Sequence, residues 1–89
     1  MKSVFISKNG GPEVLELKEI KLDNPKSGEV LIKNKAIGLN YIDTYHRSGL
    51  YPVQLPSTIG IEGAGIVEKT GPEVESFKIG DRVAYASMP

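Results

Sequence analysis

The residues best suited to chemistry are concentrated in one segment, GLNYIDTYHRSGLYP, which runs from Gly38 to Pro52. This segment holds three of the four tyrosines and the only histidine of the chain. Phenol groups can donate hydrogen bonds to a polar ligand. The segment therefore indicates the rim of a polar pocket. Half-buried tyrosines on an ordinary amphipathic helix would give the same pattern, so both interpretations stay open at this point.

The same segment predicts one short helix over residues 41–48. Asn40 suits the N-cap, and Asp43, three residues later, could complete a capping box. Gly49 suits the position that follows the last helical turn. So short a helix is not stable alone, and it must dock on other elements.

The helix would place its polar and aromatic groups on defined faces. Tyr41 and Tyr45 are four residues apart and share one face, whereas Ile42 is expected to point into the core. Asn40 and Asp43 could orient a polar ligand. His46 is the only histidine and the chain has no cysteine, so a zinc site is not expected, and His46 is interpreted as a surface residue.

A second segment, GIEGAG from Gly60 to Gly65, resembles a dinucleotide fingerprint only superficially. Its spacing is GxxGxG rather than GxGxxG, and a β-branched run follows instead of a helix. A phosphate-binding turn needs the helix N-terminus, so a nucleotide site is rejected here. Glycines within a strand instead predict a bulge or a close backbone approach. Glu62 could face solvent or have a structural or site role.

Short strands separated by turn residues make up the rest of the chain and predict a mainly β fold, a barrel or a sandwich. Residues 29–37 form the clearest strand, with Val30, Ile32, Asn34 and Ala36 expected on one face. The other strands are expected at 3–7, 14–20, 60–70 and 82–86.

The composition excludes several classes of function. Eleven basic and eleven acidic residues give zero net charge, which removes the electrostatic argument for a nucleic acid or an anionic membrane as partner. No apolar run approaches the roughly 18 residues that a membrane span needs. The N-terminus has too short an apolar core for a secretory signal, and a cytoplasmic location is expected.

Four stretches then carry a resemblance to a known family: GGPEVLEL, KNKAIGLNYIDTYHRSGLYP, LPSTIGIEGAGIVEKTGPEV and FKIGDRVAYA. Together they resemble the N-terminal catalytic domain of medium-chain dehydrogenases/reductases, and most closely its zinc-free quinone oxidoreductase branch. The resemblance covers essentially the whole chain. Zinc-dependent members carry a cysteine where this sequence has Asn40 and a histidine where it has Ile61, with Glu62 kept, so the resemblance implies no catalytic zinc.

The resemblance implies a GroES-like, partly open β-barrel, NADPH as hydride donor and a quinone as acceptor. It places Tyr45, Tyr51 and Asn40 in the catalytic site, with the tyrosines against the quinone or the nicotinamide. It also implies that Asn40 and Asp43 orient the nicotinamide side. The implied cofactor-binding residues are Asn40, Tyr41, Ile42, Asp43, Thr44 and Tyr45.

In this family a Rossmann domain binds the rest of the cofactor, and nothing in the sequence supplies its fingerprint. Residues 1–89 are therefore expected to form a single GroES-like domain that ends before any Rossmann domain and is inactive alone. A partner chain carrying that domain would restore function, and the uncovered surface would favour self-association. Two alternatives remain: a degenerate remnant, or a protein-binding module without catalysis. The acceptor could also be an enone.

Overall fold

A computed structural model describes residues 1–87. Its elements, in chain order, are β1 (Lys2–Ile6), a 3-10 turn (Pro12–Val14), β2 (Leu15–Glu19), β3 (Val30–Ala36), α1 (Tyr41–Ser48), β4 (Ser57–Thr58), β5 (Glu62–Thr70) and β6 (Arg82–Ala86). The expected mainly β fold with a single short helix over 41–48 is confirmed for these residues.

The chain forms two compact units, each built around one three-stranded antiparallel sheet. Unit one comprises Met1–Leu22 and Leu39–Gly60, and it contains α1. Unit two comprises Asp23–Gly38 and, within the described part of the chain, residues 61–87. Neither sheet closes on itself.

The sheet of unit one has the order β2-β1-β4. Ile6 at the end of β1 is fully buried, and Leu15 lies opposite it on β2. The predicted second strand begins one residue late, because Pro12 opens a 3-10 turn that buries Val14. β4 was not predicted: two residues carry no readable alternation, and only pairing with β1 makes Ser57–Thr58 a strand.

The sheet of unit two has the order β3-β5-β6, with Val67 of β5 almost fully buried. β6 spans the predicted residues. The pairing of β3 with β5 shifts register between Asn34 and Ala36, where an advance of two residues along β3 corresponds to one residue along β5. A bulge of this kind turns the strand, so the expectation that Asn34 and Ala36 share one face is wrong.

Close backbone approach explains a glycine of β5, as the sequence predicts. A Cβ at Gly65 would collide with the carbonyl oxygen of Lys33 on the neighbouring strand. A methyl group there would force the strands apart, so only glycine permits this pairing distance. The prediction of a close approach within this glycine-rich strand is confirmed.

Large hydrophobic side chains are exposed in both units. Leu39 is 85% exposed and Ile79 is 69% exposed, whereas the buried apolar core of the described residues consists of Ile6, Val14 and Val67. Each open sheet has only three strands and therefore covers little apolar side-chain surface.

Candidate functional site

The site begins at the start of α1, where local sequence determines the geometry. Asn40 has extended backbone angles and acts as N-cap, and the predicted capping box with Asp43 is present. The Asn40 backbone N–H donates to Asp43 Oδ2 at 2.9 Å, and the Asp43 N–H donates to the Asn40 carbonyl at 3.0 Å. Thr44 Oγ1 donates to the Tyr41 carbonyl at 2.6 Å, which tightens the first turn.

The end of α1 is also as predicted. Gly49 adopts the left-handed conformation, with φ of 92°, that ends many helices. Its N–H donates to the Tyr45 carbonyl at 3.1 Å, and the N–H of Tyr51 donates to the same oxygen at 3.2 Å. The chain therefore reverses sharply after the helix and returns Tyr51 to Tyr45.

This reversal places two of the predicted site tyrosines in contact. The ring centroids of Tyr45 and Tyr51 lie 5.3 Å apart with an interplanar angle of 73°, an edge-to-face pair. Such pairs contribute about 0.5–1.5 kcal/mol beyond the burial of their area. Tyr51 is 51% exposed, so part of its ring remains accessible. Tyr41, by contrast, is 83% exposed and lies outside the pair.

Asp43 and His46 form the buried side of the helix. Asp43 is 2% exposed and His46 is 8% exposed, while Ile42 is only half buried. The expectation of a surface histidine is therefore wrong, whereas the expected inward direction of Ile42 stays a prediction. Helical spacing shows that residues 43 and 46 share a face, but only docking decides which face is covered.

Burial limits the contacts that the Asp43 carboxylate can make. One carboxylate oxygen is used by the Asn40 N–H, and the other has no hydrogen-bond partner among the described residues. Contact between this carboxylate and a cofactor stays a prediction, whereas its support of the helix start is seen directly.

Sequence reasoning missed Asn9. Its Nδ2 donates to the carbonyls of His46 and Arg47, both at 3.3 Å. The Gly10 N–H donates to the Arg47 carbonyl at 3.1 Å, and Arg47 Nε donates back to the Gly10 carbonyl at 3.2 Å. The sequence around Asn9 indicates only a turn, and no local signal could reveal partners 37 and 38 positions away.

Glu62 lies within unit two, against Gly38 in the loop that follows β3. A Cβ at Gly38 would collide with the Glu62 carboxylate, so glycine leaves room for this side chain. Glu62 is half buried. The choice between a structural and a site role for Glu62 stays open.

A shallow open depression of about 570 Å³ lies on the sheet of unit two. Ala36, Ala64 and Ala84 contribute to its lining, together with the cations Lys35 and Arg82. None of the site residues predicted from the sequence lines it. The depression and the tyrosine pair are therefore separate features.

The described residues contain no cluster of three or more histidine, cysteine, aspartate or glutamate side chains able to hold a metal ion. Over residues 1–87 there is also no helix with the length and apolar character to cross a bilayer.

Known proteins are similar to this chain in both sequence and fold. Residues 26–88 match the model of the alcohol dehydrogenase GroES-like domain. A quinone oxidoreductase of Pseudomonas aeruginosa is 56% identical over 89 residues, which are 99% of this chain and 27% of the relative. A 2-haloacrylate reductase of a Burkholderia species is 41% identical over 98% of this chain and 27% of its own length.

The crystal structure of Escherichia coli quinone oxidoreductase complexed with NADPH superimposes with a TM-score of 0.97 at 50% identity, covering 100% of this chain and 28% of that one. The chain thus spans about a quarter of the length of these relatives, and the GroES-like fold expected from the resemblance is confirmed. The chain belongs to the family of alcohol dehydrogenase GroES-like domains, and its homology to the quinone oxidoreductases of the medium-chain dehydrogenase/reductase superfamily extends over its full length.

Proposed function

We propose that this chain is the acceptor-binding portion of a cytoplasmic, zinc-free quinone oxidoreductase that uses NADPH. The observation that carries the proposal is the Tyr45–Tyr51 pair, held edge to face at the end of a capped helix with one ring accessible. Similarity to an Escherichia coli quinone oxidoreductase crystallised with NADPH supports the choice of cofactor.

NADPH supplies the hydride when it is bound. The chain's own contribution is to hold the quinone and to stabilise the negative charge that develops on its oxygen. Tyr45 and Tyr51 have the appropriate groups, because a phenol donates a hydrogen bond and presents an apolar ring to a flat acceptor. One preorganised donor of this type is worth about 3–4 kcal/mol in a site that excludes water. Reduction of a quinone to a hydroquinone takes one hydride and one proton, and we assign the proton to solvent water.

The start of α1 is the proposed contact for the nicotinamide end of the cofactor. In this proposal Asn40 contacts the nicotinamide, and the backbone from Tyr41 to Tyr45, through Ile42 and Thr44, runs along the cofactor. Asp43 is 2% exposed and holds the Asn40 N–H, so it acts as a positioning residue behind Asn40. Its proposed influence on the nicotinamide is therefore indirect.

The donor set does not fit a catalytic zinc. Asn40 and Ile61 replace the cysteine and histidine of zinc-dependent relatives, and His46 points to the buried side of α1. Zinc sites in enzymes take three protein ligands, usually from histidine, cysteine or carboxylates. The proposed reaction therefore proceeds by hydride transfer without a metal.

The proposal includes a further domain or partner chain. In this proposal residues 1–89 are one GroES-like domain, and their sequence contains no glycine fingerprint for the cofactor phosphates. Hydride transfer needs the donor and the acceptor held at the right distance and orientation, so the 89 residues alone are expected to be inactive. Exposed side chains of unit one, such as Leu39 and Leu50, would be covered by that domain or else promote self-association.

A second acceptor class has a specific observation in its favour. The 41% identity to a 2-haloacrylate reductase suggests that an activated alkene could replace the quinone. Both acceptors become negatively charged at an oxygen conjugated to the carbon that receives the hydride. The same phenol donors would serve either one.

A chimera tests the proposal. The matching quarter of the Pseudomonas aeruginosa relative would be replaced by residues 1–89, and NADPH absorbance would be followed with 1,4-benzoquinone and, separately, with 2-chloroacrylate. Turnover with the quinone and none by the 89 residues alone is the expected result. A chimera that folds and binds NADPH but reduces neither acceptor would overturn the proposal, and turnover with the acrylate alone would select the second acceptor class.

A further inference from the structure

The carbonyl end of α1 is held by a segment that precedes it by almost forty residues. An α-helix leaves its last carbonyl groups without partners inside the helix. In unit one, the side-chain amide of Asn9 fills this need for two consecutive carbonyls, those of His46 and Arg47, with both Nδ2–O distances at 3.3 Å. One side chain therefore caps the helix from another part of the chain.

The fit around Asn9 is close. The neighbouring Gly10 exchanges two hydrogen bonds with Arg47, at 3.1 and 3.2 Å. A Cβ added at Gly49 would lie 3.0 Å from Asn9 Cγ, so the glycine after the helix also leaves space for the asparagine. Gly10 is itself restricted, because a Cβ there would lie 2.7 Å from Cγ1 of the buried Val14.

The turn that Asn9 holds is the turn that pairs the tyrosines. The carbonyls of residues 45, 46 and 47 are consecutive. The first accepts hydrogen bonds from the N–H groups of Gly49 and Tyr51, and the other two accept hydrogen bonds from the Asn9 amide. A shift of the last helical turn would therefore move the Tyr45 carbonyl and with it the backbone of Tyr51. The ring contact at 5.3 Å depends on both.

We propose that Asn9 is a positioning residue for the Tyr45–Tyr51 pair. Its amide locks the end of α1 and so sets the direction in which the two phenols point. The importance of this for catalysis rests on the proposed function, in which the pair contacts the acceptor. The positioning itself can be measured without any reaction.

The test is made on the 89-residue chain by nuclear Overhauser spectroscopy between the Tyr45 and Tyr51 rings. Asn9→Asp keeps the size of the side chain but removes both N–H donors and places a carboxylate against two carbonyl oxygens. Asn24→Asp is the matched control, since Asn24 uses its oxygen, as acceptor from Lys69 at 3.2 Å, and the aspartate keeps that acceptor. Spectra would be recorded well below the unfolding temperature of each variant.

The expected result is loss of the ring–ring contacts in Asn9→Asp and their retention in the control. Unchanged contacts in a folded Asn9→Asp variant would overturn the proposal. If Asn9→Asp does not fold, the neutral Asn9→Leu is measured in its place, with the same expectation.

A kinetic measurement separates this inference from the proposed function. In the chimera, Asn9→Asp should raise the KM for 1,4-benzoquinone while the KM for NADPH stays near that of the unmodified chimera. An equal change in both constants, or none, would contradict a role in positioning the acceptor. If the unmodified chimera shows no turnover, the proposed function fails, and the Overhauser result still decides the role of Asn9.

Discussion

Unit one and unit two differ in what holds them together. Unit two is built from long strands, and backbone contacts such as that between Gly65 and the Lys33 carbonyl set their spacing. Unit one has a two-residue strand, a two-turn helix and a connecting loop whose side chains, above all Asn9, tie these parts together. The residues suited to chemistry lie in unit one. The comparison suggests that strand pairing shapes the one unit, and that side-chain contacts position the site on the other.

The largest effect expected in unit one concerns activity. Tyr45→Phe in the chimera keeps the edge-to-face ring contact but removes the phenol donor, so kcat with 1,4-benzoquinone should fall by roughly 10²- to 10³-fold, the cost of losing one oxyanion donor. NADPH oxidation followed by absorbance measures it.

The control is Tyr85→Phe, which loses only a hydrogen bond from Asn34 in unit two. Equal activities for Tyr45→Phe and the unmodified chimera would show that the phenol is not a donor to the acceptor.

In unit two the largest effect expected concerns stability. Gly65→Ala drives a methyl group into the Lys33 carbonyl of the paired strand, and overpacking of this kind costs about 3 kcal/mol. Urea unfolding followed by circular dichroism measures the free energy of unfolding.

Gly63→Ala is the matched control on the same strand, because its nearest obstacles are the movable ends of Asn34 and Tyr85. Equal losses at the two positions would contradict the role assigned to backbone spacing in unit two.

A smaller loss is expected at the start of the helix. Asp43→Ala removes the carboxylate that accepts the Asn40 N–H, and a hydrogen bond to a charged group is worth about 1.5–3 kcal/mol. The measurement is again the free energy of unfolding, and Asp23→Ala provides a comparison on an exposed residue of unit two. An Asp43→Ala variant as stable as Asp23→Ala would mean that the capping box does not hold the helix.

The smallest effect is expected at the chain terminus. The amino group of Met1 pairs with Glu19, and the two groups are 53% and 69% exposed. Exposed ion pairs contribute about 0–1 kcal/mol and are screened by salt, so Glu19→Gln should hardly change the unfolding midpoint of the chain in urea. If Glu19→Gln clearly lowered the stability of the chain, and if added salt abolished the difference between variant and parent, this surface pair would be shown to stabilise unit one.

Local chemistry determined the parts of this protein that depend on neighbours in the chain. The bounds of α1 follow from Asn40, Asp43 and Gly49, and β6 follows from a short alternating run after a turn. Caps and turns involve residues a few positions apart, so their positions can be predicted from the sequence. The family resemblance likewise depended on residue types in register, and the matching GroES-like domain confirms it.

Only the tertiary structure decided which side of the helix is buried and what holds its end. The helical pattern predicts His46 at the surface, yet docking buries the side of α1 that carries Asp43 and His46. Ser57–Thr58 is a strand because β1 lies beside it, and Asn9 is a cap because folding brings the carbonyls of residues 46 and 47 to its amide. Such contacts join residues far apart in the chain, and their free energy depends on distances that exist only after folding.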